Sequence, residues 1–432
     1  LALVAVATLA GAEVRLLSPG RFALPSDDLA ARRERVARHV LGWRYRDPFA
    51  DAPCSPERTI ALLALWRATI DANRPIRAAS GMAWWKRAEM RRFLWVPGRA
   101  PLAFRRPMAA VRRARAGESV ALWPSRFPPR AVDEAARRGV VLVRVEDGFV
   151  RSAGLGANLV PPLSVTVDRL GIHYDPAGPS ELEAMLAGAA FPPALLERAR
   201  ALRTGIVAAG LGKYGAADPA RPPVALPPHS PGRKLVLVPG QVEDDRSVLL
   251  GGAAVGGNLG LLARVRADEP DAEIWYRPHP DVDAGHRRGG PGDAAALAHV
   301  DAVVRAGSMA DLLGSVDAVH VNTSLSGFEA LLRGLPVTCH GTPFYAGWGL
   351  TRDLGPVPPR RGRALALDEL VAATLILYPR YLDPVTMLPC STEVLVGRLS
   401  SASRMRVTWV TRLRMIQGRL ARAQGGQTRP VG

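Results

Sequence analysis

The sequence predicts an α/β protein made of two tandem units, each a mainly parallel sheet with helices on both faces. Short apolar runs alternate with helix-length segments along most of the chain, as parallel sheets require. A Pro-rich stretch at 215–233 interrupts the alternation and marks the boundary between the units. At 432 residues the chain is also too long for one typical core.

The first ten residues are apolar, but the stretch is too short to span a bilayer and lacks a basic n-region, so it reads as a buried strand or helix. Residues 56–72 form a helix, and the Trp84-Trp85-Lys86-Arg87 region follows. In the first unit Ser119–Trp123 is a strand, Ala131–Arg138 a helix and Val140–Val145 a second strand. Ser164–Asp168 is a third strand, and helices fill 180–211. In the second unit the strands fall at 235–239, 273–277, 317–321 and 335–339, with helices near 258–268, 308–315 and 327–333. The expected domains are 1–80, 81–225, 226–400 and a tail at 401–432.

One internal repeat stands out. Arg44-Tyr45, Asp47-Pro48, Pro53-Cys54-Ser55 and Glu57 match Arg380-Tyr381, Asp383-Pro384, Pro389-Cys390-Ser391 and Glu393 without a gap. A separation of 336 residues is too long for a solenoid and is the size of a whole two-domain module. Residues 1–80 therefore read as the tail end of a preceding module.

Composition narrows the function classes. A hydrophobic share of 48% with 22% charged residues describes a globular protein. Three cysteines without CxxC spacing argue against a disulfide framework or a cysteine zinc site, which fits a reducing cytoplasm. No later segment reaches eighteen uninterrupted apolar residues, so a soluble or peripheral protein is expected. The net charge of +18 calls for an anionic partner. In the tail, Met405, Trp409, Leu413, Ile416 and Leu420 recur at helical spacing among arginines. That pattern suits either an amphipathic helix on an anionic membrane or a docked helix with a solvated basic face. No nucleic-acid module accompanies the charge, so nucleic acid is not an expected partner.

Five segments at strand ends could carry chemistry. Glu146-Asp147-Gly148-Phe149, with Arg151, offers either a rigidly placed nucleophile or base, or an Asp-Gly turn. Gln241 with Glu243, Asp244 and Asp245 could bind sugar hydroxyls, accept a proton or form a solvated acidic loop. Arg277-Pro278-His279-Pro280 holds an imidazole between two prolines beside a guanidinium, which suits a phosphate oxygen. Thr323, Ser324 and Ser326 gather hydroxyls at a helix N-terminus beyond a strand, a place for phosphate or carboxylate, with Glu329 one turn on to reach a ribose. The Gly- and aromatic-rich stretch 340–353 either walls the cleft or forms a packed corner.

Glu146-Asp147-Gly148-Phe149-x-Arg151-Ser152-x-Gly154-Leu155-Gly156, the Pro161–Asp175 run, Val238–Asp245, Arg277–Asp281, Thr323–Gly334 and Pro343–Thr351 stand in the same order as in one known family. Over about residues 80–400 the chain resembles the capsule polysaccharide β-Kdo transferases of the KpsC/LipB type. It departs at Trp123-Pro124-Ser125-Arg126, where a more Gly-rich turn stands in the family. Many members carry two transferase modules, which fits the repeat.

The resemblance implies a GT-B-like fold, two Rossmann-type domains facing a cleft, here with helical N- and C-terminal extensions. It implies a retaining transferase that moves Kdo from CMP-Kdo to a Kdo-terminated phospholipid acceptor, building the β-Kdo linker of capsular polysaccharide without a metal or other cofactor. On that basis Asp147 is the expected nucleophile, with Glu146 the alternative. His279 and Arg277 would neutralise the departing CMP phosphate, with His279 also a general acid. Thr323, Ser324 and Ser326 would hold the phosphate, Glu329 the ribose, and Arg151, Gln241 and Asp245 the sugar or attacking hydroxyl. Expected partners include the anionic inner-membrane surface and other capsule assembly proteins. The alternatives are a transferase for another CMP-sugar and a non-catalytic assembly or export component.

Overall fold

The computed structural model describes residues 29–151, 160–212, 215–216, 225–283 and 290–401. The apolar N-terminal segment, Ser152–Gly156, part of the Pro-rich stretch and the basic tail lie outside the described residues. The chain divides between Asp71 and Ala72 into two compact units.

In the first unit a helix, Leu29–Leu41, precedes a hairpin of β1 (Tyr45–Asp47) and β2 (Ala52–Cys54), after which the helix Pro56–Asn73 begins and runs across the unit boundary. Asp47 holds the hairpin turn by accepting from the Phe49 and Ala50 amides at 2.7 and 3.2 Å. This is an Asx-type turn, and the short side chain of aspartate makes it possible.

The second unit contains β3 (Ile76–Ser80), β4 (Ala103–Phe104), β5 (Ser119–Leu122), β6 (Val141–Asp147) and β7 (Ser164–Asp168). A short pair follows, β8 (Leu211–Gly212) and β9 (Gly215–Ala216). Next come β10 (Leu235–Pro239), β11 (Glu273–Arg277), β12 (Ala302–Val303), β13 (Ala318–Val321), β14 (Val337–Cys339) and β15 (Arg352–Asp353). The last two are β16 (Pro379–Leu382) and β17 (Pro389–Cys390).

These strands build two main sheets. One has the order β12-β11-β10-β13-β14-β15, and every pairing in it is parallel. Leu235–Val238 and Val319 are fully buried, because helices cover both faces and the strands must be apolar throughout. The other has the order β17-β16-β7-β6-β5-β3-β4. Its β3 to β6 pairings are parallel, while β7, β16 and β17 join antiparallel. Two α/β layers with parallel-rich sheets are the GT-B-like architecture expected from the sequence.

Sheet membership does not follow the sequence-based boundaries. β3, expected within the 1–80 segment, pairs with β5 inside the seven-stranded mixed sheet, the first large sheet along the chain. The 379–390 hairpin, expected within 226–400, pairs through β16 with β7 of that same sheet. Neither segment has the length or periodicity of a separate strand signal, and their long-range pairing placed them.

The repeat is structural as well as sequential. Tyr45 faces Cys54 across β1–β2, and Tyr381 faces Cys390 across β16–β17 in the same register. Tyr45 Oη donates to the Val40 carbonyl at 2.9 Å, and Tyr381 Oη to the Leu375 carbonyl at 2.6 Å. Asp47 pairs with Arg58 at 2.6 Å, and Asp383 with Arg398 at 2.8 Å.

Candidate active site

In the all-parallel sheet the strand order reverses between β10 and β13, and ligands in such sheets bind beyond the carboxyl ends at that reversal. Gln241 follows β10 and Thr323 follows β13. Gln241 Nε2 donates to Thr323 Oγ1 at 3.0 Å, and its Oε1 accepts from the Thr323 amide at 2.8 Å. Asn258 in turn fixes the Gln241 backbone, accepting from its amide and donating to its carbonyl, each at 2.8 Å.

Ser324 caps the helix Leu325–Leu332, accepting from the Ser326 amide at 3.2 Å, and Ser324 Oγ donates to Ser326 Oγ at 3.2 Å. Tyr345 Oη donates to the Ser324 carbonyl and fixes the entry to the helix. The expected helix N-terminus is therefore present, starting two residues earlier than the sequence suggested.

The first large sheet supplies the charged side. Asp147 ends β6 and is one-fifth exposed, at 21% of its side chain. Its Oδ1 accepts from Lys86 Nζ at 2.9 Å and its Oδ2 from Arg151 Nε at 2.7 Å. Gly148 follows without a side chain because Ser164 on β7 comes so close that a Cβ would fall 2.2 Å from Ser164 Oγ. The Asp-Gly step is thus a close strand approach, and Asp147 turns to the two bases. Burial alone would raise the Asp147 carboxyl, but Lys86 and Arg151 outweigh it and hold it below the usual carboxylate range.

Glu146 behaves oppositely. Burial first, then the neighbouring Asp147 charge, push it up to about 7. Tyr174 Oη donates to its Oε2 at 3.4 Å. Asp245, across on the other sheet, adds a further upward push through its charge, which places the Gln241–Asp245 loop within electrostatic reach of β6. An aromatic seam joins the same two sides, with Phe149 4.8 Å from Phe344 and 6.3 Å from Phe328 between ring centroids.

Other expected residues take more local partners. Asp245 is exposed and caps the helix Arg246–Gly251, accepting from the Ser247 amide and hydroxyl at 3.0 Å. Arg277 donates to the carbonyls of Val304, Ala306 and Gly307 at 3.0, 3.3 and 3.1 Å, so its guanidinium braces the loop after β12. His279 is half-buried, and its Nδ1 accepts from the Asp281 amide at 3.1 Å. Glu329 lies against Gly212, where a Cβ would come within 3.0 Å of Oε1. Arg151 is 1% exposed and acts through Asp147. The 340–353 stretch is a packed corner, with Tyr345 and Trp348 fully buried.

Lys86 was missed as a site residue. It lies on the short 3-10 turn Trp84–Lys86 and is 9% exposed, with its Nζ 3.6 Å above the Trp123 ring and 5.1 Å from the Trp85 ring. A usable signal existed, because Lys86 is one of three lysines in a chain that otherwise uses arginine. Asp268, Glu269 and His320 also come within metal-ligand spacing. Arg352 and Lys234 already neutralise the two carboxylates, so this cluster works as an ion-pair network.

The sequence model of the family described as capsule polysaccharide biosynthesis protein matches residues 118–210 and 227–381, more than half of the chain. The chain belongs to that family. Capsule polysaccharide modification protein LipA of Neisseria meningitidis serogroup A is 40% identical over 356 residues, 81% of this chain and 49% of that protein. Lipopolysaccharide-processing protein LpsZ of Rhizobium meliloti is 47% identical over 257 residues, 58% of this chain and 57% of that protein. The chain thus spans about half the length of the curated relatives it matches.

Among solved structures, the β-Kdo 2,7 transferase of Thermosulfurimonas dismutans KpsC superposes with a TM-score of 0.62 at 32% identity, covering 76% of this chain and 99% of that one. The β-Kdo 2,4 transferase of the same protein gives 0.62 at 29%, covering 75% and 98%. The family match at 118–210 and 227–381 includes β6, with Glu146 and Asp147, and β10 and β13, with Gln241 and Thr323 beyond their ends.

Proposed function

We propose that the chain is a retaining glycosyltransferase that moves Kdo from CMP-Kdo to a Kdo-bearing lipid acceptor. The observation that carries this reading is the adjacent pair Glu146 and Asp147, whose surroundings push their titrations apart. Such a split assigns one carboxylate as a permanent anion and the other as a proton carrier. The β-Kdo transferase names of the similar structures support the sugar and the reaction class.

In the first displacement an Asp147 oxygen bonds to the ketosidic carbon, and the carbon–oxygen bond to the CMP phosphate breaks with its electron pair leaving on phosphate. No proton moves. The Ser324–Ser326 helix N-terminus stabilises the leaving charge through the positive end of the helix dipole and its hydroxyls. In the second displacement Glu146 takes the acceptor hydroxyl proton, the acceptor oxygen bonds to the sugar and the Asp147 carboxylate is released. Two inversions give net retention. CMP leaves as an anion held by protein groups, so the scheme uses no metal.

The acceptor and partner readings extend this one. Among the described residues no helix is long and apolar enough to cross a membrane. The +18 charge suits the anionic donor, the growing Kdo chain and a peripheral position on the cytoplasmic face of an acidic inner membrane, where other capsule assembly proteins would meet it.

The decisive experiment is intact-protein mass after mixing with freshly generated CMP-Kdo, with and without a Kdo-terminated acceptor. A single-Kdo adduct on Asp147 that disappears with acceptor is expected. Product without any adduct, under rapid quenching, would overturn the covalent route. Absence of both would transfer the assignment to another CMP-sugar or to a non-catalytic role.

A further inference from the structure

The two displacements employ Asp147 and Glu146 but leave Lys86 with a task that Arg151 already performs from the other carboxylate oxygen. Burying a lysine is costly, and a second base to hold one carboxylate ionised is redundant. The Lys86 side chain is packed between Trp123 and Trp85, which strip it of water. Among the described residues, Asp147 Oδ1 is the hydrogen-bond acceptor that reaches its Nζ. An ammonium has three donors, so Lys86 retains capacity for a further anionic group beside Asp147.

Charge bookkeeping at the site points the same way. Lys86 and Arg151 bring two positive charges against the one fixed anion, Asp147, while Glu146 shuttles its proton. When Asp147 becomes an ester even that anion is lost, and two desolvated cations face each other. A 2-keto sugar acid carries its carboxylate directly on the carbon that is attacked. That carboxylate reaches the Asp147 neighbourhood in the same step that removes the Asp147 charge.

We propose that Lys86, seated on the Trp123 ring, is a carboxylate subsite that selects 2-keto sugar acids and passes from Asp147 to the sugar carboxylate as the glycosyl ester forms. This inference rests on the proposed donor class. Lys86 stays an ammonium throughout; only its counter-ion changes, and the bonds made and broken are those already given. Trp123, at the entry to the turn Pro124–Arg126, supplies the aromatic floor. Lys86 gains selectivity because a neutral sugar would leave its charge uncompensated at the ester stage.

The test titrates the full chain, saturated with CMP, with the methyl ketoside of Kdo and with its C1 carboxamide. Wild type is expected to bind the carboxylate roughly 10- to 100-fold more tightly than the amide, the range of a charge-assisted hydrogen bond. Lys86→Gln should abolish that preference while CMP affinity, which also reports folding, stays within about twofold. Lys86→Arg should restore part of it, since the charge is kept but the geometry changes. Equal weakening of both ligands in Lys86→Gln would make Lys86 structural and overturn the proposal. So would a preserved preference for the carboxylate. A wild type that binds CMP but neither ketoside refutes the donor reading itself, and a wild type that prefers the carboxylate while Lys86→Gln still does refutes only the subsite.

Discussion

At the carboxyl end of β6 four charged or titrating side chains meet, Glu146, Asp147, Lys86 and Arg151, whereas at the β10–β13 crevice the contacts join neutral groups, Gln241, Thr323, Ser324 and Ser326. The charged side is set up before any ligand arrives, with Asp147 tied to two bases in a half-buried setting. Fixed dipoles and ions of this kind cost no reorganisation during a reaction and act where charge changes. The neutral side offers amides and hydroxyls, which bind an anion with little dependence on pH. The difference teaches a division of labour: bond making on the first sheet, leaving-group binding on the second. Variants on the two sides should separate kcat from binding.

The largest expected effect is Asp147→Asn. Transfer to a Kdo-terminated acceptor should fall on the order of 10⁴-fold, as when a nucleophile is removed from a cooperating set, with CMP affinity unchanged. Unaltered turnover would erase the distinction between the sides.

Glu146 comes next. As a base it must be ionised, so kcat/KM should rise with pH through about 7 and then level off, while Asp147 stays ionised across the range. Glu146→Gln should lower the rate about 10²-fold and remove the ascending limb. Persistence of that limb in the variant would place the titrating group elsewhere.

On the neutral side, Gln241→Ala removes both bonds to Thr323 and leaves a buried amide without its acceptor. The expected cost is about 1–3 kcal/mol of stability, read in denaturant melts, with CMP binding weakened roughly tenfold and the pH limb intact. A shifted pH limb would show that the sides are coupled.

The smallest effect lies behind the site, where His320 Nδ1 and His340 Nε2 approach to 3.1 Å. Burial lowers both imidazoles, His340 to about 4. The folded state therefore binds fewer protons than the unfolded one, so stability is full above about pH 6.5 and declines as pH falls towards 4. Melting curves at pH 7.5 and 5 should differ by a few degrees, about the shift expected for 1 kcal/mol, and His340→Gln should narrow that gap. An equal gap in the variant would clear His340.

The site was legible where a single strand end carries it. Glu146 and Asp147, expected just past a strand at 140–145, are the last two residues of β6, and Ser324 capped the expected helix, because apolar runs and capping residues are local signals. Arg277 shows the limit. Its position at the end of β11 was foreseen, yet its guanidinium is engaged with carbonyls of the loop after β12, about thirty residues on. A backbone path can be read from a local pattern, but the partner of a long side chain depends on which loop the sheet order brings alongside.

Alone, the sequence determined the α/β class, the buried parallel strands and the turns that bear the candidate residues, since strands covered on both faces must be apolar along their length. It also carried the hairpin repeat, down to the Tyr, Asp, Pro and Cys positions that set its register. The tertiary structure decided that β16 returns to pair with β7, and that Lys86, 61 residues before Asp147, becomes its partner on a tryptophan ring. Strand order in a sheet is chosen by the packing of the whole core, so contacts between distant strand ends leave no local mark in the chain.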